Sequence, residues 1–173
     1  MAENCKEMNS REATLLAKIY YQEGMRIITQ CVKDSAQIHE VICRNIVGYT
    51  NLAFACEVAL KVIIVNHNGT VPTLPRGHDL KDLYDKLRSD VKKAISHLTV
   101  VYYNENIANP IYTEEMFETD LNRYSNAFEQ SRYWYERLEK IPTKEAGIQF
   151  ILSLSKALII LVSRIEECQN STG

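Results

Sequence analysis

At 173 residues, 46% hydrophobic and 24% charged, the chain has the size and composition of one globular domain with a substantial single core. Six Gly and four Pro supply few of the turns that a strand-rich fold needs, so helices are favoured. A formal net charge of −2 excludes a general electrostatic pull toward nucleic acid or anionic lipid, and such binding would need a local patch.

From Ser10, an expected N-cap with Glu7 and Glu12 near the positive helix end, the apolar residues Leu15, Leu16, Ile19, Tyr20, Met25, Ile27 and Ile28 predict a first helix, with Gly24 as its soft point. Asp34 or Ser35 then caps a second run with Ile38, Val41, Ile42, Ile46 and Val47 at helical spacing. The segment Tyr49–Val65 is apolar almost all the way round, as a helix at the centre of a bundle must be. If the two join through Gly48 they make one helix of roughly 30 residues and about 45 Å. A kink at Gly48 is the more cautious expectation. The only charges inside Asn51–Val65 are Glu57 and Lys61, acid first and four residues apart, the favourable order for an ion pair on one face.

Asn66–Gly77 holds two Gly and two Pro and reads as a loop. Leu80, Leu83, Tyr84 and Leu87 then recur at i, i+3, i+4 and i+7, predicting a short amphipathic helix capped by Asp79. A further helix is expected over about Val91–Tyr103, and Asn104–Tyr112, with Pro110, reads as a connection. Thr113 caps a long helix carrying Met116, Phe117, Leu121, Tyr124, Phe128, Tyr135 and Leu138, which Pro142 ends. Thr143 opens a final helix to about Cys168. The sum is an all-α antiparallel bundle of five to seven helices in a single domain, with its core over about 10–169 and polar tails.

Cys5, Cys31, Cys43, Cys56 and Cys168 contain no C-x-x-C pair, and three of them fall in apolar helical patterns as small core residues. The polar start Met1–Met8 lacks the apolar run of a secretory signal, and the 15-residue run Ile148–Val162, with Lys156 inside it, is short for a bilayer span. A cytoplasmic setting without a membrane partner is the expectation. The chain has no P-loop, G-x-G-x-x-G, H-E-x-x-H or G-x-S-x-G. Ala36, Ile64, Pro75 and Ala94 stand three residues before the four histidines, so no Glu-x-x-His pair of a di-metal bundle is present. Neither a metal nor a cofactor is expected.

What remains is an ordered constellation. Asn51-x-x-Phe54-Ala55-x-Glu57-x-x-x-Lys61 is followed by Gly77-His78-Asp79-Leu80-x-x-Leu83-Tyr84-x-x-Leu87. Then come Phe117-x-x-x-Leu121 and Asn126-x-Phe128-x-x-x-Arg132-Tyr133-x-Tyr135-Glu136. Over roughly Asp34 to Glu139 the set resembles a HEPN domain, an all-α family that includes RNase toxins and nucleotidyltransferase-associated proteins. Catalytic members carry an Arg followed after four to six residues by a His; Arg stabilises the scissile phosphate while His moves a proton. Here Arg132 resembles the family's Arg, but Arg137 stands five residues on, His97 follows Arg88 by nine, and Lys61 with His67 has the wrong base.

The resemblance therefore implies a HEPN-like binding or regulatory module without the nuclease pair, in RNA-linked, toxin–antitoxin or antiviral-defence biology. It also implies a homodimer, a nucleotidyltransferase-type or antitoxin partner protein, and RNA or a nucleotide as ligand. Two other readings stand beside it: a divergent metal-independent RNase pairing Arg132 with His78 or His97 brought from elsewhere in the fold, and a purely structural protein-interaction bundle. The candidate site residues are Glu57, Lys61, His78, Asp79, Asn126, Arg132 and Glu136. Glu57 and Lys61 read as a structural ion pair joined by Arg132. His78 and Asp79 read as loop-fixing and helix-capping groups. Asn122, Asn126, Glu129, Arg132 and Glu136 form a polar stripe at i, i+4, i+7, i+10 and i+14, which includes the family-like Arg and is the best candidate for a site. Tyr133, Trp134 and Tyr135 could offer a base-stacking platform.

Overall fold

The computed structural model describes residues 10–33, 38–67, 77–105, 111–132 and 145–171, and among these it contains seven helices and no strand. They are α1 (Ser10–Lys33), α2 (Ile38–His67), α3 (Leu80–Asp85), α4 (Ser89–Glu105), α5 (Glu114–Arg123), α6 (Ala127–Arg132) and α7 (Glu145–Ser171). The all-α bundle expected from the periodicity is the observed architecture. Around α2 lie α1, α7, α6 and α3, while α4 packs on α7 and α5. Leu52, Ala53, Cys56, Ala59, Leu60, Val62 and Ile63 of α2 are all within 1% of complete burial, which accounts for a helix that is apolar on every side.

Gly48 does not end α2, which runs as one helix of 30 residues through it. Its role is close approach to α1. A Cβ on Gly48 would sit 2.6 Å from Cγ1 of Ile28, and one on Gly24 would sit 2.9 Å from the Gly48 carbonyl oxygen. The two helices are antiparallel: Ser10 meets Asn66 through an Oγ···Nδ2 contact of 3.0 Å, and Tyr20 meets Phe54. So tight an interface selects small residues, and Ala13 and Ala17, at 4% and 0% exposure, supply them with Gly24. Leu15, Leu16 and Ile19, part of the apolar pattern that predicts this helix, are consequently turned outward.

The long helix expected from Thr113 is instead two helices. Thr113 does cap α5, accepting from the Met116 amide at 3.3 Å, but the helix ends at Tyr124, whose amide donates to the Asp120 carbonyl. Ser125 then turns its carbonyl to the Leu80 amide at 2.8 Å, and α6 restarts at Ala127. A long-range hydrogen bond to the start of α3 thus interrupts the α5–α6 path. The expected continuation through Tyr133, Trp134, Tyr135, Glu136 and Leu138, and the caps Asp34, Ser35 and Thr143, lie outside the described residues. Asp79 caps α3 as expected, accepting from the Asp82 amide at 2.9 Å.

Cys56 is buried, as the apolar pattern around it implies, whereas Cys43 and Cys168 are exposed. The final helix, expected to run to about Cys168, is α7, Glu145–Ser171. His39–His67 and Gly147–Gln169 are each long and apolar enough to cross a membrane by length and composition. In the bundle, residues such as Ile63 on the first and Phe150, Leu158 and Val162 on the second are wholly buried.

Three core tyrosines, Tyr49, Tyr84 and Tyr112, are each 4% exposed, and burial holds every one of their phenols above the ordinary tyrosine range. In Tyr112 the neighbouring Asp120, which accepts its hydroxyl at 3.0 Å, adds to the effect. The unfolded chain ionises these three tyrosines near pH 10 and the folded chain keeps them protonated above it, so above that pH the native state binds more protons. Stability is therefore complete below pH 10 and falls as pH rises beyond it, by about 1.4 kcal/mol per pH unit for each of the three tyrosines. In an alkaline titration the last of the tyrosinate absorbance should appear together with loss of helical circular dichroism; tyrosinate signal complete before helix loss would contradict this.

Candidate functional site

Glu57 sits on α2 with its side chain 2% exposed, a position at which a carboxylate must be paired. Lys61, one turn on, places Nζ 2.7 Å from Oε1. The third member comes from a different segment: Nδ1 of His78 lies 3.0 and 2.9 Å from the two oxygens. An ionised carboxylate only accepts, so His78 donates through Nδ1 and its Nε2 becomes the acceptor. The exposures are graded, with Glu57 at 2%, Lys61 at 17% and His78 at 43%. The carboxylate is the buried root and the imidazole its solvent-facing end.

Two backbone devices present the imidazole. Gly77 has φ +108°, open only to glycine without strain, and the Leu80 amide is tied to Ser125. That tie carries the start of α3 to the turn between α5 and α6. As a result Phe128 of α6 comes within 5.8 Å of the His78 ring, centroid to centroid, and within 4.7 Å of Phe54. Tyr20 completes the ladder edge-on to Phe54 at 4.6 Å. The guanidinium of Arg132, one turn after Phe128, lies 5.4 Å from that ring's centroid.

The structure therefore gathers Glu57, Lys61, His78, Phe54, Phe128 and Arg132 at one place. The expected junction of the Glu57–Lys61 pair with Arg132 is not formed: His78 is the third partner, because the loop before α3 reaches the carboxylate while Arg132 packs on Phe128. Asp79 is spent on capping α3. Asn126 donates to Ser125 Oγ at 3.3 Å, and Asn122 donates to the Glu118 carbonyl on α5. The break after Tyr124 separates Asn122 from Asn126, Glu129 and Arg132, so the expected stripe is not continuous. His97 is exposed on α4, and Glu136 lies outside the described residues. Among the described residues no three His, Cys, Asp or Glu side chains converge in a way that could hold a metal.

Chemically, an imidazole fixed in one tautomer can take or give a proton at Nε2. A guanidinium set on the same aromatic ring can hold a phosphate or carboxylate oxygen. Phe54 and Phe128 stand in the sequence only as parts of a pattern, and their role as the platform joining His78 to Arg132 carries no sequence signal beyond aromatic character. No family model matches the chain, and no curated protein or solved structure matches it. What the fold and site define is an all-α bundle with a buried acid that orients an exposed histidine.

Proposed function

We propose that the chain is a HEPN-like binding or regulatory module, without nuclease activity of its own, in RNA-linked biology of the toxin–antitoxin or antiviral-defence kind. Its ligand is RNA or a nucleotide, and a nucleotidyltransferase-type or antitoxin protein is its partner. The observation that carries this reading is the placement of Arg132 and His78 on the one Phe128 ring. Together they offer a cation, a hydrogen-bonding imidazole and an aromatic edge to a phosphate and its neighbouring base. Glu57 does not oppose an anion there, since its charge is balanced by Lys61. No His follows Arg132 at the nuclease spacing, which supports binding rather than cleavage.

One observation favours the enzyme reading as a second. A carboxylate holding Nδ1 of a histidine, with Nε2 turned outward, is an arrangement that serves general acid–base chemistry. In that reading His78 replaces the missing local histidine and Arg132 stabilises the scissile phosphate. Fluorescence anisotropy with labelled single-stranded RNA, in EDTA, tests both. The module reading expects saturable binding that Arg132→Ala weakens by about tenfold, the RNA remaining intact. Cleavage abolished in both Arg132→Ala and His78→Ala would transfer the protein to the enzyme class, and absence of any binding would remove RNA as the ligand.

A further inference from the structure

Helices α2 and α4 both pack on α7 but scarcely on each other, and between them they leave a groove of about 490 Å³. Its floor is apolar. Ile63 of α2 and Val91 of α4 are buried there, and Ala94, Leu161 and Ile165 are half-buried. A cavity of roughly 300 to 1,000 Å³ with such a floor and a few polar groups at its rim is the usual form of a small-molecule site. On α2, Ile63 and Asn66 stand at least about 120° round the helix from Glu57 and Lys61, so the groove faces away from the Glu57–His78 cluster.

The polar rim divides into groups already engaged and groups that are not. Asn66 donates to Ser10 Oγ and to the Val62 carbonyl, and accepts from Gln169 Nε2 at 2.7 Å, which occupies its amide. Asp90 is the one acid among the described lining residues, and Arg88 reaches its two oxygens at 3.2 and 3.0 Å. His67 and Arg164, both exposed, have no partner among the described residues. The groove thus has an apolar bed with one unpaired guanidinium and one imidazole at its edge.

We propose that this groove binds a small aliphatic monocarboxylate, its chain on Ile63, Leu161 and Ile165 and its head on Arg164. The guanidinium supplies one positive charge and a fork that matches the two oxygens of a carboxylate. A phosphate monoester, with nearly two charges, would be left half neutralised. His67 adds a ring N–H donor at the rim. Leu161 to Cys168 is about two turns of α7, or 10 Å. An extended chain advances about 1.2 Å per bond, so the bed suits an acid of eight carbons. The inference rests on this groove and not on the RNA ligand proposed for the Phe128 site.

Isothermal titration calorimetry of the full chain with sodium octanoate should show saturable binding at one site, with a dissociation constant on the order of a few hundred micromolar. Arg164→Gln, at an exposed position that leaves the fold intact, should weaken it about tenfold. Octan-1-ol, which has the chain without the charge, should bind wild type and Arg164→Gln alike, about tenfold more weakly than octanoate binds wild type. Ala94→Phe, which fills the floor, should abolish binding of both. Alkylation gives a readout that needs no variant. Saturating octanoate should slow iodoacetamide at Cys168, on the groove, and leave exposed Cys43, about 30 Å along α2 from Ile63, unchanged. No binding of octanoate, the outcome for a groove that the chain fills itself or gives to a protein segment, would overturn the proposal. So would an affinity indifferent to Arg164→Gln, tighter binding of octyl phosphate than of octanoate, or no protection of Cys168.

Discussion

Lys61→Met should cost about 3 to 5 kcal/mol of unfolding free energy, the cost of leaving a buried ion without its counter-charge. The side chain it abandons is Glu57, which at 2% exposure cannot turn to water. His78 would remain as a hydrogen-bond donor to the carboxylate. Glu57→Gln should be milder, about 1 to 2 kcal/mol, although it removes the acid at the centre of the cluster. The amide oxygen can still accept from His78. Lys61, at 17% exposure and on a flexible stem, can carry its ammonium outward to solvent. The double variant Glu57→Leu/Lys61→Met should recover most of the Lys61→Met loss, because a hydrophobic pair buries no charge. Urea unfolding followed by circular dichroism, with equal m-values across the set, measures all three. A cost below about 1 kcal/mol for Lys61→Met would mean that Glu57 is solvated and the cluster is not a buried one.

How much of this was legible in the sequence divides along physical lines. Interactions set by local spacing were read correctly. The Glu57–Lys61 pair follows from i, i+4 geometry, and the caps at Asp79 and Thr113 follow from side chains that can reach an amide three residues on. Interactions set by which segments meet were not. Glu57 and His78 are 21 residues apart, across a loop whose path no periodicity reveals. The break after Tyr124 exists because a carbonyl is claimed by Leu80, and nothing in the apolar pattern of 113–138 reports that claim. Leu15, Leu16 and Ile19 show a subtler failure. Hydrophobicity places large residues inside, yet where two helices approach closely the inner positions go to Ala and Gly. Gly24 and Gly48 were available as the signal, but each alone reads as a weak point in a helix.

Those glycines give the second large effect. In a solvated helix Gly→Ala gains about 1 kcal/mol. At Gly24 the sign should reverse, with a net loss of about 2 kcal/mol, because the new Cβ would stand 2.7 Å from Leu52 Cγ and 2.9 Å from the Gly48 carbonyl oxygen. Neither is the pliable end of a long side chain, and the carbonyl can yield only if α2 shifts. Gly48→Ala should cost less. Its closest contact is Ile28 Cγ1 at 2.6 Å, which a χ1 adjustment can withdraw, while the Gly24 carbonyl oxygen stands farther off at 3.2 Å. Gly24→Leu should exceed 3 kcal/mol, roughly the upper end of overpacking costs, since it separates the helices along their whole antiparallel seam. Thermal and urea unfolding of the three variants would establish the order Gly24→Leu, Gly24→Ala, Gly48→Ala. A neutral or stabilising Gly24→Ala would show that α1 and α2 stand apart by more than a methyl group. The outward rotation of Leu15, Leu16 and Ile19, which depends on that closeness, would then lose its cause.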